Sequence, residues 1–339
     1  MQNIIEIQQN WPTDYFRIDL YAGNICNFQC WYCGPENHRG DIKWPDYDLL
    51  VKNLSHLIDY YTEHAGKKKF QIAVLGGEVT HWKQFVDFVK YFKEKYNCIF
   101  SIHTNASKSL EWWAGAAPHL DLVSISHHDV FSNLEHNRDV ADYLYSKNVM
   151  VNIQVMMDPK QWDSCMDAVE YYKKSKYCWT IRHAEIVHDS ANYTPAQKTI
   201  LNTLRPRSNS IWFYLRNNKI PASKVTVIDN TGKKHKIGDH ILVLERLNNF
   251  KGWECNVGVD WLNIKADGTV EGICGNRLYD QQVVYNIFDT DFFEKFQPTI
   301  TTTQCNSAGC WCTFETNMPK KKTSSTARSV IPIIVENNV

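Results

Sequence analysis

From residue 16 to about residue 187 the chain alternates short apolar runs with longer amphipathic ones. FRIDLY (16–21), FQIAVL (70–75), CIFSIH (98–103), DLVSISH (121–127), VMVNIQVM (149–156) and WTIRHAEIV (179–187) have the length and β-branched content of strands. Helices are expected between them, at 47–65, around 85–92, and at 108–116, 132–147 and 160–174. The clearest holds Phe85, Phe88, Val89 and Phe92, whose i, i+3, i+4, i+7 spacing lays one apolar stripe against a core. Six strands separated by five helices predict parallel pairing with right-handed crossovers, hence an α/β barrel or open sheet. In such folds function gathers on loops at the carboxyl ends of the strands. The chemically distinctive residues fall there: Cys26–Cys33 after the first strand, Gly76–Glu78 after the second, His103–Asn105 after the third and Ser126–His128 after the fourth.

Past residue 187 the pattern changes. DNTG (229–232) between KVTVI and KKHKIG reads as a hairpin turn. A second hairpin joins WLNIK (261–265) to TVEGI (269–273), with Cys255 before it and Cys274 at its end. The stretch from Lys320 onward is Lys-, Ser- and Thr-rich and is expected to be a poorly ordered tail. No internal repeat is present.

The chain has 339 residues, room for one large α/β domain with a smaller appendage, and its 43% hydrophobic content supports a buried core. Lys+Arg and Asp+Glu are both 37, which argues against attraction to an anionic membrane or an RNA substrate. The first residues lack the basic start and apolar run of a signal peptide, and no apolar stretch is long enough to span a bilayer. A cytoplasmic location is therefore expected. Eleven cysteines in a reducing compartment suggest metal or redox chemistry rather than disulfides.

The cysteines sort into groups. Cys26, Cys30 and Cys33 stand on one loop, Cys255, Cys274, Cys305, Cys310 and Cys312 lie in the last quarter, and Cys98, Cys165 and Cys178 are scattered as expected core thiols. Three thiolates on one loop suit a cubic [4Fe–4S] cluster with one iron left open to a small molecule. They also suit a zinc site completed by a fourth ligand, for which His38 is the candidate. Spacing alone leaves both open.

CNFQCWYC resembles the CxxxCxΦC signature of the radical S-adenosylmethionine (SAM) enzymes, with Tyr32 in the aromatic position. LGGEVTHW (75–82) resembles the GGEP motif of that family, with Val79 in place of the proline. The resemblance implies a partial (β/α)6 TIM-like barrel and a [4Fe–4S] cluster on Cys26, Cys30 and Cys33. SAM would chelate the open iron and be cleaved to a 5′-deoxyadenosyl radical that abstracts hydrogen from substrate. It further implies that Gly76, Gly77 and Glu78 hold the SAM amine. Glycines permit close approach of the backbone, and a carboxylate pairs with an ammonium group. HTNAS (103–107) and SISHH (124–128) resemble the family's third and fourth strand ends, which points to Asn105, Ser126 and His127 as pocket residues. The bland reading of those side chains is helix capping. Gln154 on the fifth strand is a further ribose candidate, and Arg182, His183 and Glu185 on the sixth are candidates for adenine or substrate.

The C-terminal cysteines resemble the auxiliary-cluster module called twitch, a shortened SPASM domain. Cys255-x12-Gly268-x5-Cys274 is one residue longer than the SPASM pattern at its end. One auxiliary [4Fe–4S] cluster is expected, on Cys255 and Cys274 with two of Cys305, Cys310 and Cys312. A four-cysteine structural zinc site is the competing reading. The implied organisation is a barrel over 1–190, a connecting region over 191–249, the auxiliary unit over 250–319 and a tail over 320–339. The implied partners are SAM, a reductant such as flavodoxin or ferredoxin, and a small-molecule or peptide substrate. The reading from another class is a non-catalytic metal-binding or electron-transfer protein with structural zinc.

Overall fold

The strand and helix periods of the sequence become the elements they predict. In the computed structural model, residues 4–8, 12–34, 37–175, 180–186, 188, 191–204, 214–215, 218–219, 224–238, 242, 246–272, 284–306, 309–310 and 317–323 are described. After a short strand β1 (Ile4–Gln8) come β2 (Tyr15–Tyr21), α1 (Tyr47–Ala65), β3 (Lys69–Leu75), α2 (Phe85–Tyr96), β4 (Ile99–Thr104) and α3 (Leu110–Ala116). They continue as β5 (Leu122–His127), α4 (Leu134–Ser146), β6 (Met150–Met156), α5 (Trp162–Tyr172), β7 (Thr180–Ala184) and α6 (Pro195–Leu204). Local chemistry sets the helix ends. Asp46 caps α1 by accepting from the Leu49 N–H at 2.8 Å, and Gly66 closes that helix in the left-handed region.

The C-terminal part contributes β8 (Tyr214–Leu215), β9 (Asn218–Lys219), β10 (Lys224–Asp229), β11 (Lys234–Gly238), β12 (Glu254–Cys255), β13 (Trp261–Ile264), β14 (Thr269–Glu271) and β15 (Tyr285–Asn286). A one-turn helix α7 (Phe292–Lys295), β16 (Thr303–Gln304) and β17 (Lys320–Lys321) complete the described elements. Both expected hairpins form, β10 with β11 and β13 with β14.

Strands β2 to β7 pair in parallel and in sequence order. Among the described residues the sheet is open: β7 is one edge, and beyond β2 it continues through β13, β14 and β15 to the other. The pairing of β13 with β2 is parallel, Trp261 against Arg17 and Ile264 against Leu20. A second sheet runs β11-β10-β1-β17-β12-β16. Residues 250–319 therefore feed both sheets, and Lys320 and Lys321, where the tail was expected to begin, form a strand between β1 and β12.

One face of the main sheet is apolar. Phe16, Ile18, Leu20, Ile72, Val74, Phe100, Ile102, Val123, Ile125, Ile153 and Val155 pack with Leu50, Leu54 and Ile58 of α1 and Phe85, Phe88 and Phe92 of α2. Alternate positions carry the opposite character. Arg17, Asp19, Gln71, Ser101, Ser124 and Asn152 are polar yet buried. Buried polar groups need partners, and these find one another across strands. Gln71 Nε2 donates to Ser101 Oγ (3.0 Å), Asn152 Nδ2 to Ser124 Oγ (3.3 Å) and Arg17 Nε to Asp19 Oδ1 (2.6 Å). Lys67, buried beside β2, pairs with the buried carboxylate of Asp260 and donates to the Thr13 carbonyl at 2.8 Å. Asn53 of α1 donates to the carbonyls of Ile287 (2.7 Å) and Asp289 (2.9 Å). These contacts fasten the C-terminal segment to the strands and helices that precede it.

Candidate metal centre

The loop after β2 is fixed at its base by one buried residue. Asn24 donates to Asp41 Oδ1 (2.6 Å) and accepts from the Ile42 N–H (2.9 Å), so the chain leaves and returns at the same place. Cys26, Cys30 and Cys33 lie on this loop, Cys30 buried and the other two half-buried. The Phe28 N–H donates to Cys26 Sγ at 3.4 Å, and the Cys33 N–H closes a turn on the Cys30 carbonyl at 3.1 Å. Burial pushes the Cys30 thiol up to about 12, and the neighbouring Cys33 and Cys26 push the same way. Burial raises Cys26 as well, and thiols that resist ionisation become thiolates when a metal supplies the compensating charge. Among the described residues no three His, Cys, Asp or Glu side chains converge on the position of a single metal ion.

The strand pairing continues past the strand ends into this loop. Ala22 N–H donates to the Leu75 carbonyl (3.0 Å), Gly77 N–H to that of Gly23 (3.0 Å) and Glu78 N–H to that of Ile25 (2.8 Å). The two glycines make the approach possible. A Cβ on Gly76 would sit 2.3 Å from the Gly23 oxygen, and one on Gly77 would sit 2.1 Å from that of Ile25. In the structure the backbone of the cysteine loop lies against both glycines.

Glu78 is buried and fully engaged. Its Oε1 accepts from the Thr80 N–H (3.2 Å), Thr80 Oγ1 (2.6 Å) and Thr104 Oγ1 (2.7 Å), and its Oε2 from the Asn105 N–H (2.6 Å). Burial outweighs these donors and holds the carboxyl above its ordinary range. Asn105 in turn donates from Nδ2 to Asn27 Oδ1 at 2.8 Å and accepts from the Ser107 N–H at 3.0 Å. A run Glu78–Asn105–Asn27 thus reaches the residue next to Cys26. Val79, in the place of the motif's proline, is buried at the start of a short 3-10 turn that Glu78 caps.

Ser126 and Gln154 lie side by side in register near the ends of β5 and β6, with Arg182 next to Gln154. His127 goes elsewhere. It shares strand parity with Val123 and Ile125, so it turns to the helix side and hydrogen-bonds through Nδ1 with Tyr172 Oη (2.8 Å). Burial there pushes it down to about 4. The neighbouring His128 is the residue brought to the cysteines, its Nδ1 3.3 Å from Cys30 Sγ and 2.7 Å from Tyr32 Oη. Alternation along β5 was the available signal for this exchange. Trp31 and Asp158 were also missed: the indole N–H donates to Asp158 Oδ2 at 2.7 Å, and Lys160 Nζ sits 4.2 Å over the same ring. His103 is pushed down to about 4 by burial and by the charges of Arg17 and Arg182. Glu185 forms an ion pair with Lys198. Cys98 and Cys165 are buried thiols, and Cys178 lies outside the described residues.

Of the C-terminal cysteines, Cys255, Cys305 and Cys310 share one small buried core with Phe250, Trp253 and Val257. The Cys305 N–H donates to the Trp253 carbonyl (2.8 Å) and the Cys310 N–H to that of Asn248 (2.9 Å). Cys274 and Cys312 lie outside the described residues. No described helix is long and apolar enough to cross a membrane.

Residues 20–181 match the family model described as the Radical SAM superfamily. A GTP 3',8-cyclase of Haemophilus influenzae is 29% identical over 80 residues, a match that spans 24% of this chain and only 23% of the cyclase. A solved structure of native anSMEcpe with bound AdoMet superposes with a TM-score of 0.52 at 14% identity, covering 84% of this chain and 82% of that one. The α/β fold is thus shared with that AdoMet-bound structure. Streptococcus suis SuiB is a more distant structural neighbour, with a TM-score of 0.45 at 14% identity over 83% of this chain and 65% of that one.

Proposed function

We propose that this chain is a radical SAM enzyme whose Cys26, Cys30 and Cys33 hold a [4Fe–4S] cluster. The observation that carries the reading is the match of residues 20–181, within which the cysteine loop and the Gly76–Gly77 turn are bonded backbone to backbone. The donor set fits the group: three soft thiols on one loop offer three ligands to a cubic cluster and leave its fourth iron open. When bound, such a cluster supplies the electron that splits SAM into methionine and a hydrogen-abstracting 5′-deoxyadenosyl radical.

The chain's own residues then have distinct tasks. Gly76 and Gly77 let strand end and cysteine loop lie in contact, and Glu78 with Asn105 braces Asn27 beside Cys26. Ser126 and Gln154, adjacent at neighbouring strand ends, are the pocket groups for the ribose. Buried polar residues on the open face of the sheet, Arg17 and Asp19 among them, give the interior a hydrogen-bonding character suited to a polar small molecule or peptide. The second buried cysteine core supports one auxiliary [4Fe–4S] cluster on Cys255 and Cys274 with two of Cys305, Cys310 and Cys312. That cluster would aid electron transfer or substrate binding, and a flavodoxin or ferredoxin would supply electrons.

The test is anaerobic reconstitution with iron and sulfide, then reduction in the presence of SAM. Formation of 5′-deoxyadenosine that disappears in Cys30→Ala is the expected result. Protein that takes up only zinc and releases none of the nucleoside would sink the reading.

A further inference from the structure

Three polar atoms meet at the most buried of the loop cysteines. His128 Nδ1 lies 3.3 Å from Cys30 Sγ and 2.7 Å from Tyr32 Oη, which brings the tyrosine hydroxyl to the same sulfur through the imidazole. The imidazole is held on several sides. Its ring stacks on Tyr32 with centroids 5.9 Å apart at 12°, and Phe28 meets it edge-on at 5.9 Å. Phe131 stacks on Phe28 at 5.1 Å, and the His128 N–H is anchored on Ser132 Oγ at 2.9 Å. A histidine fixed by its backbone and by two aromatic rings, one of them backed by Phe131, has little freedom to turn away from the sulfur.

The proton count gives the triangle its meaning. A cysteine thiol is both donor and acceptor, so with Cys30 protonated the three groups satisfy one another in more than one way. A metal-bound thiolate only accepts. With Cys30 as an iron ligand, its sulfur would accept a hydrogen bond either from Nδ1–H or from the tyrosine hydroxyl. Hydrogen bonds to ligating sulfur spread the thiolate's negative charge and ease addition of an electron to the iron.

We infer that His128, together with Tyr32, is a positioning residue that tunes the electron affinity of the cluster through a hydrogen bond to Cys30 Sγ. This rests on the radical SAM reading above. It assigns His128 a task that the motifs do not carry, and gives Tyr32 a second task at the sulfur beyond any contact with SAM.

The experiment is a redox titration of the reconstituted protein followed by electron paramagnetic resonance, reading the signal that changes when SAM is added, which separates this cluster from any auxiliary one. His128→Phe keeps the ring and its stacking but removes Nδ1. At the potential where half of the wild-type cluster is reduced, its reduced-to-oxidised ratio is expected to fall about tenfold, equivalent to about 59 mV for one electron. His128→Asn, which returns an N–H donor near the same place, is expected to recover most of that loss. One common potential for wild type, H128F and H128N at equal iron content overturns the inference and leaves the radical SAM reading standing. Should H128F fail to take up iron, Y32F is read instead: a fall in the same direction supports the inference, and an unchanged potential overturns it. A wild-type protein that forms no cluster at all overturns the reading on which the inference rests.

Discussion

Replacing Gly77 with alanine tests the joint between the strand β3 end and the cysteine loop. The added Cβ would lie 2.1 Å from the Ile25 oxygen, 2.5 Å from its carbonyl carbon and 2.8 Å from its nitrogen. All three are backbone atoms, so no rotamer change relieves the clash. Strand end and loop must separate by about 1 Å to regain van der Waals contact. That shift stretches the Gly77-to-Gly23 and Glu78-to-Ile25 hydrogen bonds, now 3.0 and 2.8 Å. Overpacking strain and two weakened bonds together amount to about 2–4 kcal/mol. Urea denaturation should show that loss, and reconstituted iron per chain should fall because the same shift moves Cys26. Gly115 in α3 is the control: a Cβ there meets nothing within 4 Å. Gly115→Ala is expected to leave iron uptake unchanged and to stabilise by up to about 1 kcal/mol through helix propensity. A Gly77→Ala protein equal to wild type in both stability and iron would refute the close-contact argument.

Two further substitutions probe the attachment of the C-terminal segment. Asp260→Asn leaves the Lys67 ammonium buried without its counter-charge, and should cost about 3–5 kcal/mol in chemical denaturation; a loss under 1 kcal/mol would mean that the pair is not buried as described. Asn53→Ala strands the Ile287 and Asp289 carbonyls. It should cost about 1–3 kcal/mol and speed limited proteolysis within 285–296, whereas cleavage at the wild-type rate would contradict that role.

Much of this architecture was legible because it is written locally. Strand and helix periods within β2 to β7 depend on neighbours a few residues away, and the glycine and asparagine turns carry their own conformational requirements. The loop ends that bear Cys26–Cys33, Gly76–Glu78 and Asn105 followed from strand order. What was not legible depends on distant contacts. β1 and β17 are too short for periodicity to declare them, and their pairing joins the two extremes of the described chain. The exchange of His127 for His128 turned on a one-residue question of which way a strand faces, and the alternating character of Val123 and Ile125 held the answer. Gly76 and Gly77 carry the same lesson, since a sequence shows that space is needed and the structure shows the Gly23 and Ile25 backbone lying against it.

The parallel pairing of β13 with β2 bears on how the chain reaches its native state. β2 (Tyr15–Tyr21) is synthesised well before β13 (Trp261–Ile264), which becomes one of its neighbours. Until β13 emerges, β2 presents an unpaired edge beside the cysteine loop, the kind of edge that recruits other chains. Such long-range closure slows folding and extends the time during which incomplete chains can aggregate. Chains cut short before residue 261 should therefore accumulate as insoluble material even though every residue of β2 to β7 is present.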